Sequence, residues 1–182
     1  LYFLLMLNCG LTQKDISDLT VAEVDFDGGA ITRKRSKTRN RENVPMVSYR
    51  LWPETLRLLK QERAQSGDRV LVNRDGGPLK FEELRGKKLV KIDNVNSAYD
   101  RLRRRLKFTK PLKALKKTSA SLIRDHKNYT SLESLFLGHA SRSVAHRHYA
   151  KEPQTLLDDA IAWLGRQYQT VPDAEMKEVG RP

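Results

Sequence analysis

The chain has 182 residues, long enough for one domain with its own hydrophobic core. Its 35 Lys and Arg against 22 Asp and Glu leave a net charge of +13, which points to a polyanionic partner, nucleic acid first and an acidic membrane surface second. The lone cysteine, Cys9, excludes an internal disulfide framework and a cysteine-based zinc site and suits a reducing cytosol, and no apolar run reaches the roughly 18 residues that a membrane span needs.

Residues 1–7 and 14–19 read as two short helices broken at Cys9-Gly10. The first is apolar but lacks a basic leader and an initiator Met, so it reads as a core helix of a longer protein and not as a signal peptide. Residues 24–26 and 30–32 flank Asp27-Gly28-Gly29, a hairpin signal. Residues 44–46 are expected to add a third strand after a basic loop, short or at an edge because of Pro45. Pro53 opens a helix over residues 54–65 with Leu56 and Leu59 on one face. Residues 70–72 are a candidate strand ended by Asp75-Gly76-Gly77. Val95, Ala98, Tyr99, Leu102 and Leu106 fall at helical spacing and predict a helix over residues 94–107, with Arg101, Arg103, Arg104 and Arg105 on its other side. Further helices are expected over residues 112–125, 131–137 (capped by Ser131), 141–149 and from Pro153, where Leu156, Leu157, Ala160, Ile161 and Leu164 share a side. From Val171 the polar, Pro- and Gly-containing sequence reads as a flexible tail over residues 171–182. The sum is a mainly α (α+β) chain, helical with a small antiparallel sheet near its start.

Chemistry concentrates near the end. Leu137-Gly138-His139 is followed after a short basic segment by Tyr149. A phenol oxygen can attack a phosphodiester and hold one DNA end covalently. Such a step also needs cations on the non-bridging oxygens and an acid for the departing 5′ oxygen. His139 is a candidate hydrogen-bond donor to the phosphate; the plainer alternative is a histidine at a helix C-terminus. His146 and His148 are two apart, so on a helix they point in nearly opposite directions and make a poor metal pair. Lys37, within Arg33-Lys34-Arg35-Ser36-Lys37-Thr38-Arg39, follows the hairpin; a solvated basic loop is the alternative reading, and a nearly equal one for Arg33, Lys34 and Arg41.

The context Phe136-Leu137-Gly138-His139 through His148-Tyr149-Ala150 resembles the last active-site box of the tyrosine recombinase (phage integrase) family, although the interval from His139 to Tyr149 is one residue longer than the common form. Three further stretches are similar to that family, in its order. Asn8-Cys9-Gly10-Leu11-Thr12 through Leu19 looks like its Thr-Gly-Leu-Arg-x-Ser-Glu-Leu box, with Asp15 on the acidic position and Thr12 where the first catalytic arginine stands. Lys37-Thr38 matches its hairpin lysine. Lys113-Ala114-Leu115-Lys116-Lys117-Thr118 is similar to its His-x-Leu-Arg-x-Thr box, with Lys116 in place of the second arginine. Lysine offers a point charge where arginine offers a planar fork.

The resemblance implies the recombinase catalytic-domain fold over residues 1–170, with an amino-terminal DNA-clamping domain absent, and metal-free, cofactor-free recombination or integration of a mobile element. It implies Tyr149 as nucleophile, Lys37 as general acid, Lys116, His139 and Lys113 on the phosphate, and Arg35, Arg39, Arg142 and Arg147 on DNA. It also implies double-stranded DNA as partner, a monomer when free, a homotetramer on DNA, no membrane, and a cytoplasmic, nucleoid-associated location. Lys14 is a candidate to reach back toward the phosphate. Arg142 and Arg147 are candidates to replace the missing arginine. The rival expectation is a catalytically weak or inactive DNA-binding module of the same fold, since both arginine positions are substituted; a third is a basic structural or RNA-associated protein. A membrane-surface role fits least, because the basic residues are spread over many elements and no helix pairs them with a large aromatic face.

Overall fold

The computed structural model describes residues 1–41, 43–140 and 154–170. Helix α1 (Tyr2–Cys9) ends at Gly10, whose φ of 60° lies in the left-handed region that glycine adopts without strain. Helix α2 (Gln13–Ser17) starts immediately after it with a capping box.

Strands β1 (Val24–Asp25), β2 (Ala30–Arg33) and β3 (Val47–Arg50) form an antiparallel sheet in that order. The Asp27-Gly28-Gly29 hairpin is where the sequence puts it. The third strand lies three residues beyond the expected 44–46: Pro45 has no N–H for a ladder, and pairing begins only at Val47, opposite Arg33. Ile31 pairs with Tyr49 and Arg33 with Val47, and all four are buried, so the odd-numbered positions of both strands face the core. Residues 70–72 form no strand; Val70 and Leu71 are buried beside an isolated bridge between Thr20 and Arg69.

Helix α3 (Pro53–Glu62) begins with proline at its first position. A second sheet follows, the hairpin β4 (Lys80–Arg85) and β5 (Lys88–Asp93), which the sequence reading did not anticipate. It leads through an Asp93 N-cap into α4 (Asn94–Leu106), within one residue of expectation. Helix α5 (Ala114–Asp125), a turn of 3₁₀ helix at Thr130–Leu132, and the short α6 (Glu133–Phe136) complete the segment to the Leu-Gly-His turn. Helix α7 (Gln154–Gln167) buries Leu157, Ala160, Ile161 and Leu164, the stripe its spacing predicts. The expected helix over residues 141–149 and the tail over 171–182 lie outside the described residues.

One core joins these elements. Leu5 and Met6 of α1 pack with Ala120 and Ile123 of α5, Leu157 and Ile161 of α7, and Ile31 and Tyr49 of the sheet. Two polar ties cross it. Buried Asn8 donates to the Arg50 carbonyl at 2.9 Å and accepts from the Trp52 N–H at 2.8 Å. The Trp52 indole N–H donates to the Ile161 carbonyl at 2.8 Å. Asn8 thus joins α1 to the end of β3, and α7 is tied to the start of α3. Among the described residues, no helix is long and apolar enough to cross a membrane.

Candidate active site

The Gly-Leu box and the Leu-Gly-His box meet face to face. A Cβ placed on Gly10 would fall 2.9 Å from the Phe136 carbonyl oxygen and 3.0 Å from its ring, so only glycine lets α1 end against α6. The same carbonyl accepts the buried Tyr49 hydroxyl at 3.0 Å, which ties β3 to both boxes. Burial raises the Tyr49 phenol well above its ordinary pKa, so it stays protonated and donating.

Gly138, with φ 60°, closes α6 in a Schellman turn. The His139 N–H reaches the Ser134 carbonyl at 2.9 Å and the Gly138 N–H reaches Leu135 at 2.8 Å. The His139 backbone thus closes the helix, and its side chain is half-buried.

The cleft between the boxes is lined by Gly10, Leu11, Asp15, Arg33, Arg35, Tyr49 and Leu137. Asp15 organises one wall. Its carboxylate accepts from the Thr12 N–H at 2.9 Å, the Thr12 hydroxyl at 2.6 Å and the Ser36 N–H at 2.7 Å. Burial works against this charge, but the hydrogen bonds from Thr12 and Ser36, with the Arg33 guanidinium, outweigh it and hold the carboxyl below its usual range.

Arg33 is a correction to the sequence reading, which left it as a possible solvated cation. It is 2% exposed. It donates to the Asp15 carbonyl at 2.5 Å and the Ser36 hydroxyl at 2.8 Å, and it lies 3.9 Å from the Asp15 carboxylate and 3.7 Å from that of Glu23. The signal was available in the strand's alternation, which turns Arg33 inward with Ile31.

Thr12, at the position of the family's first arginine, caps α2. Lys14 does not reach toward the cleft; its ammonium pairs with Asp18 at 2.9 Å on an exposed helix face. Lys37 is exposed on a 3₁₀ turn, Ser36–Thr38, that the Asp15–Ser36 bond pins in place. Arg39 is exposed beside it, with a long contact of 3.5 Å to the Ser36 hydroxyl.

Lys116, which is not part of the cleft's lining, is half-buried on α5. Burial first, and then the charge of nearby Arg35, lowers its pKa, with Asp15 opposing in part. Lys113, at the N-cap of α5, is exposed; it shares a helix side with Lys116 by its i, i+3 spacing. Tyr149, His146, His148, Arg142 and Arg147 lie outside the described residues. Among the described residues, no group of three or more His, Cys, Asp or Glu is placed to hold a metal ion. Burial pushes the Cys9 thiol far up, which leaves it a core side chain and not a nucleophile.

No protein-family model matches the sequence, and no curated protein matches it. Solved structures do. A XerA recombinase superposes with a TM-score of 0.54 at 14% identity, over 91% of this chain and 56% of that one. The Tn1549 transposon integrase, solved in complex with circular intermediate DNA, superposes with a TM-score of 0.54 at 13% identity, over 91% of this chain and 58% of that one. A Y379F form of that integrase, with transposon right end DNA, gives 0.52 at 15% identity, over 91% of this chain and 57% of that one. The chain spans somewhat over half the length of these structures. With its helical body, its small antiparallel sheets and this likeness over nine-tenths of its length, the chain has the fold of a tyrosine-recombinase catalytic domain.

Proposed function

We propose that this chain is the catalytic domain of a tyrosine-type site-specific recombinase that breaks and rejoins double-stranded DNA through a 3′-phosphotyrosyl intermediate. The observation that carries this reading is the convergence of the Gly-Leu box, the segment after the first hairpin and the Leu-Gly-His turn on one cleft of the shared fold, lined by Gly10, Leu11, Asp15, Arg35 and Leu137.

In this reading the Tyr149 oxygen attacks phosphorus as the phenol gives up its proton. The bond to the 5′ oxygen breaks, and Lys37 protonates that oxygen. Lys116 and His139, helped by Lys113, hold the charge that grows on the non-bridging oxygens. The 5′ hydroxyl of a second DNA then reverses the step. The phosphotyrosyl link conserves the energy of the broken bond, so no metal or other cofactor is assigned. Arg39, Arg142 and Arg147 bind the flanking backbone. Residues 1–170 form the catalytic domain, monomeric when free and tetrameric on two DNA sites, in a nucleoid-associated protein of a mobile element, with residues 171–182 as a tail.

A covalent adduct on a suicide substrate tests this. Full-length protein and DNA from its own element's ends should give a band that survives denaturation, and Tyr149→Phe should give none. The second reading, a binding module with weak or no chemistry, rests on Thr12 standing uncharged in a capping box. It predicts salt-sensitive binding with no adduct.

A further inference from the structure

We propose that Arg35, from the segment after β2, supplies the guanidinium that the Gly-Leu box lacks, forming with Lys116 a two-cation site for one phosphate group. The assignment of that group as the scissile phosphate rests on the recombinase reading above.

Elimination among the cleft's polar residues leads to Arg35. Thr12 has no charge, and its hydroxyl and N–H are both bonded to Asp15. Arg33 is buried, hydrogen-bonded to Asp15 and Ser36 and balanced by two carboxylates. Arg35 differs from both. It lines the same cleft and is half-buried, yet among the described residues its guanidinium makes no hydrogen bond or ion pair. Its backbone is extended, with φ −59° and ψ 129°, so it continues the odd-numbered, inward-facing series of Ile31 and Arg33.

The placement suits a phosphate. The Arg35 stem backs onto the Leu-Gly-His turn, where a Cβ on Gly138 would stand 3.5 Å from the Arg35 Cβ. Lys116, on α5, is near enough to Arg35 for the two charges to oppose each other, and among the described residues it too lacks an ion-pair partner. Two like charges held together repel, and folding alone gains nothing from the arrangement. The acid that Lys116 senses, Asp15, is already bound to Thr12 and Ser36. An oxyanion between them would neutralise both, with the planar fork taking two oxygens and the ammonium a third.

The test uses full-length protein, a suicide substrate, and a matched substrate with a methylphosphonate at the scissile position, which removes one negative oxygen. Arg35→Ala should slow single-turnover adduct formation by about 100-fold or more on the phosphodiester. The deficit should shrink to less than about tenfold on the neutral methylphosphonate, which no longer needs the second cation. Arg35→Lys, which keeps the charge and guards against a folding artefact in the alanine variant, should fall between and be rescued likewise. If Arg35→Ala forms adduct as fast as wild type while Tyr149→Phe forms none, the recombinase reading stands and this assignment is overturned. If wild type forms no adduct, the recombinase reading fails and salt-dependent DNA binding decides. A slope of log K against log salt that is shallower by about 0.9 in Arg35→Ala keeps the phosphate site, and an unchanged slope removes it.

Discussion

Gly10 backs onto Phe136 across the joint between the first and last described boxes of the site. No side chain fits between them: a Cβ at position 10 would meet the Phe136 carbonyl oxygen at 2.9 Å. Gly10→Ala therefore combines a left-handed backbone, costing roughly 1–2 kcal/mol, with a backbone clash. A loss of at least about 2 kcal/mol in urea-unfolding free energy is expected, with an unchanged slope if the denatured state is unaffected.

Tyr49→Phe removes the hydroxyl that donates to the same carbonyl. The ring still packs edge-on against Phe136, with centroids 6.2 Å apart, so the change isolates the hydrogen bond. Leaving that acceptor unsatisfied in the core should cost about 1–3 kcal/mol, read as a lower denaturant midpoint.

Acid should weaken the fold through Asp15. Its folded pKa lies below the ordinary value of 3.8, so its contribution is fully present above that value and is lost as pH falls through the folded pKa. Wild type should lose stability progressively below about pH 4, at the lower edge of the usual carboxylate range. Asp15→Asn should be less stable at pH 7, and its deficit should narrow toward pH 2. Stability curves of the two proteins against pH check this; a constant gap would show that the carboxylate charge is not what holds Ser36 and Thr12.

Lys116→Met should separate stability from chemistry. It removes a half-buried ammonium whose charge Arg35 disfavours and that has no ion-pair partner among the described residues, so the melting temperature should stay the same or rise. Adduct formation should drop by about 100-fold or more. A clear fall in melting temperature would instead mark Lys116 as structural.

Much of this was legible in the chain, for identifiable reasons. Periodicity placed α4 and α7 because Val95 and Tyr99, and Leu157, Ile161 and Leu164, are buried at helical spacing. Asp27-Gly28-Gly29 placed the first hairpin. The β4–β5 hairpin was hidden because its ladder joins mostly charged strands with no buried apolar face. Glu82 pairs with Lys91 at 3.2 Å and Lys80 with Asp93 at 2.5 Å, while Leu84 and Leu89 remain exposed. Residues 70–72 misled because a short apolar run reads the same in a strand and in a buried plug. In the site, motif order located the Gly-Leu and Leu-Gly-His boxes, but one run of basic letters concealed three fates. Arg33 is buried and paired, Arg35 faces the cleft, and Lys37 is exposed on a turn. Strand alternation turns Arg33 inward, but its contacts with Asp15 and Ser36 are what set it apart from Arg35 and Lys37.

The most direct test of the recombinase account is to digest the protein–DNA species formed on a suicide substrate and identify the modified peptide by mass spectrometry. A nucleotide joined through its 3′ phosphate to Tyr149, absent in Tyr149→Phe, is the predicted result. A stable complex that yields only unmodified peptides, or one modified at another residue, would contradict the assigned chemistry.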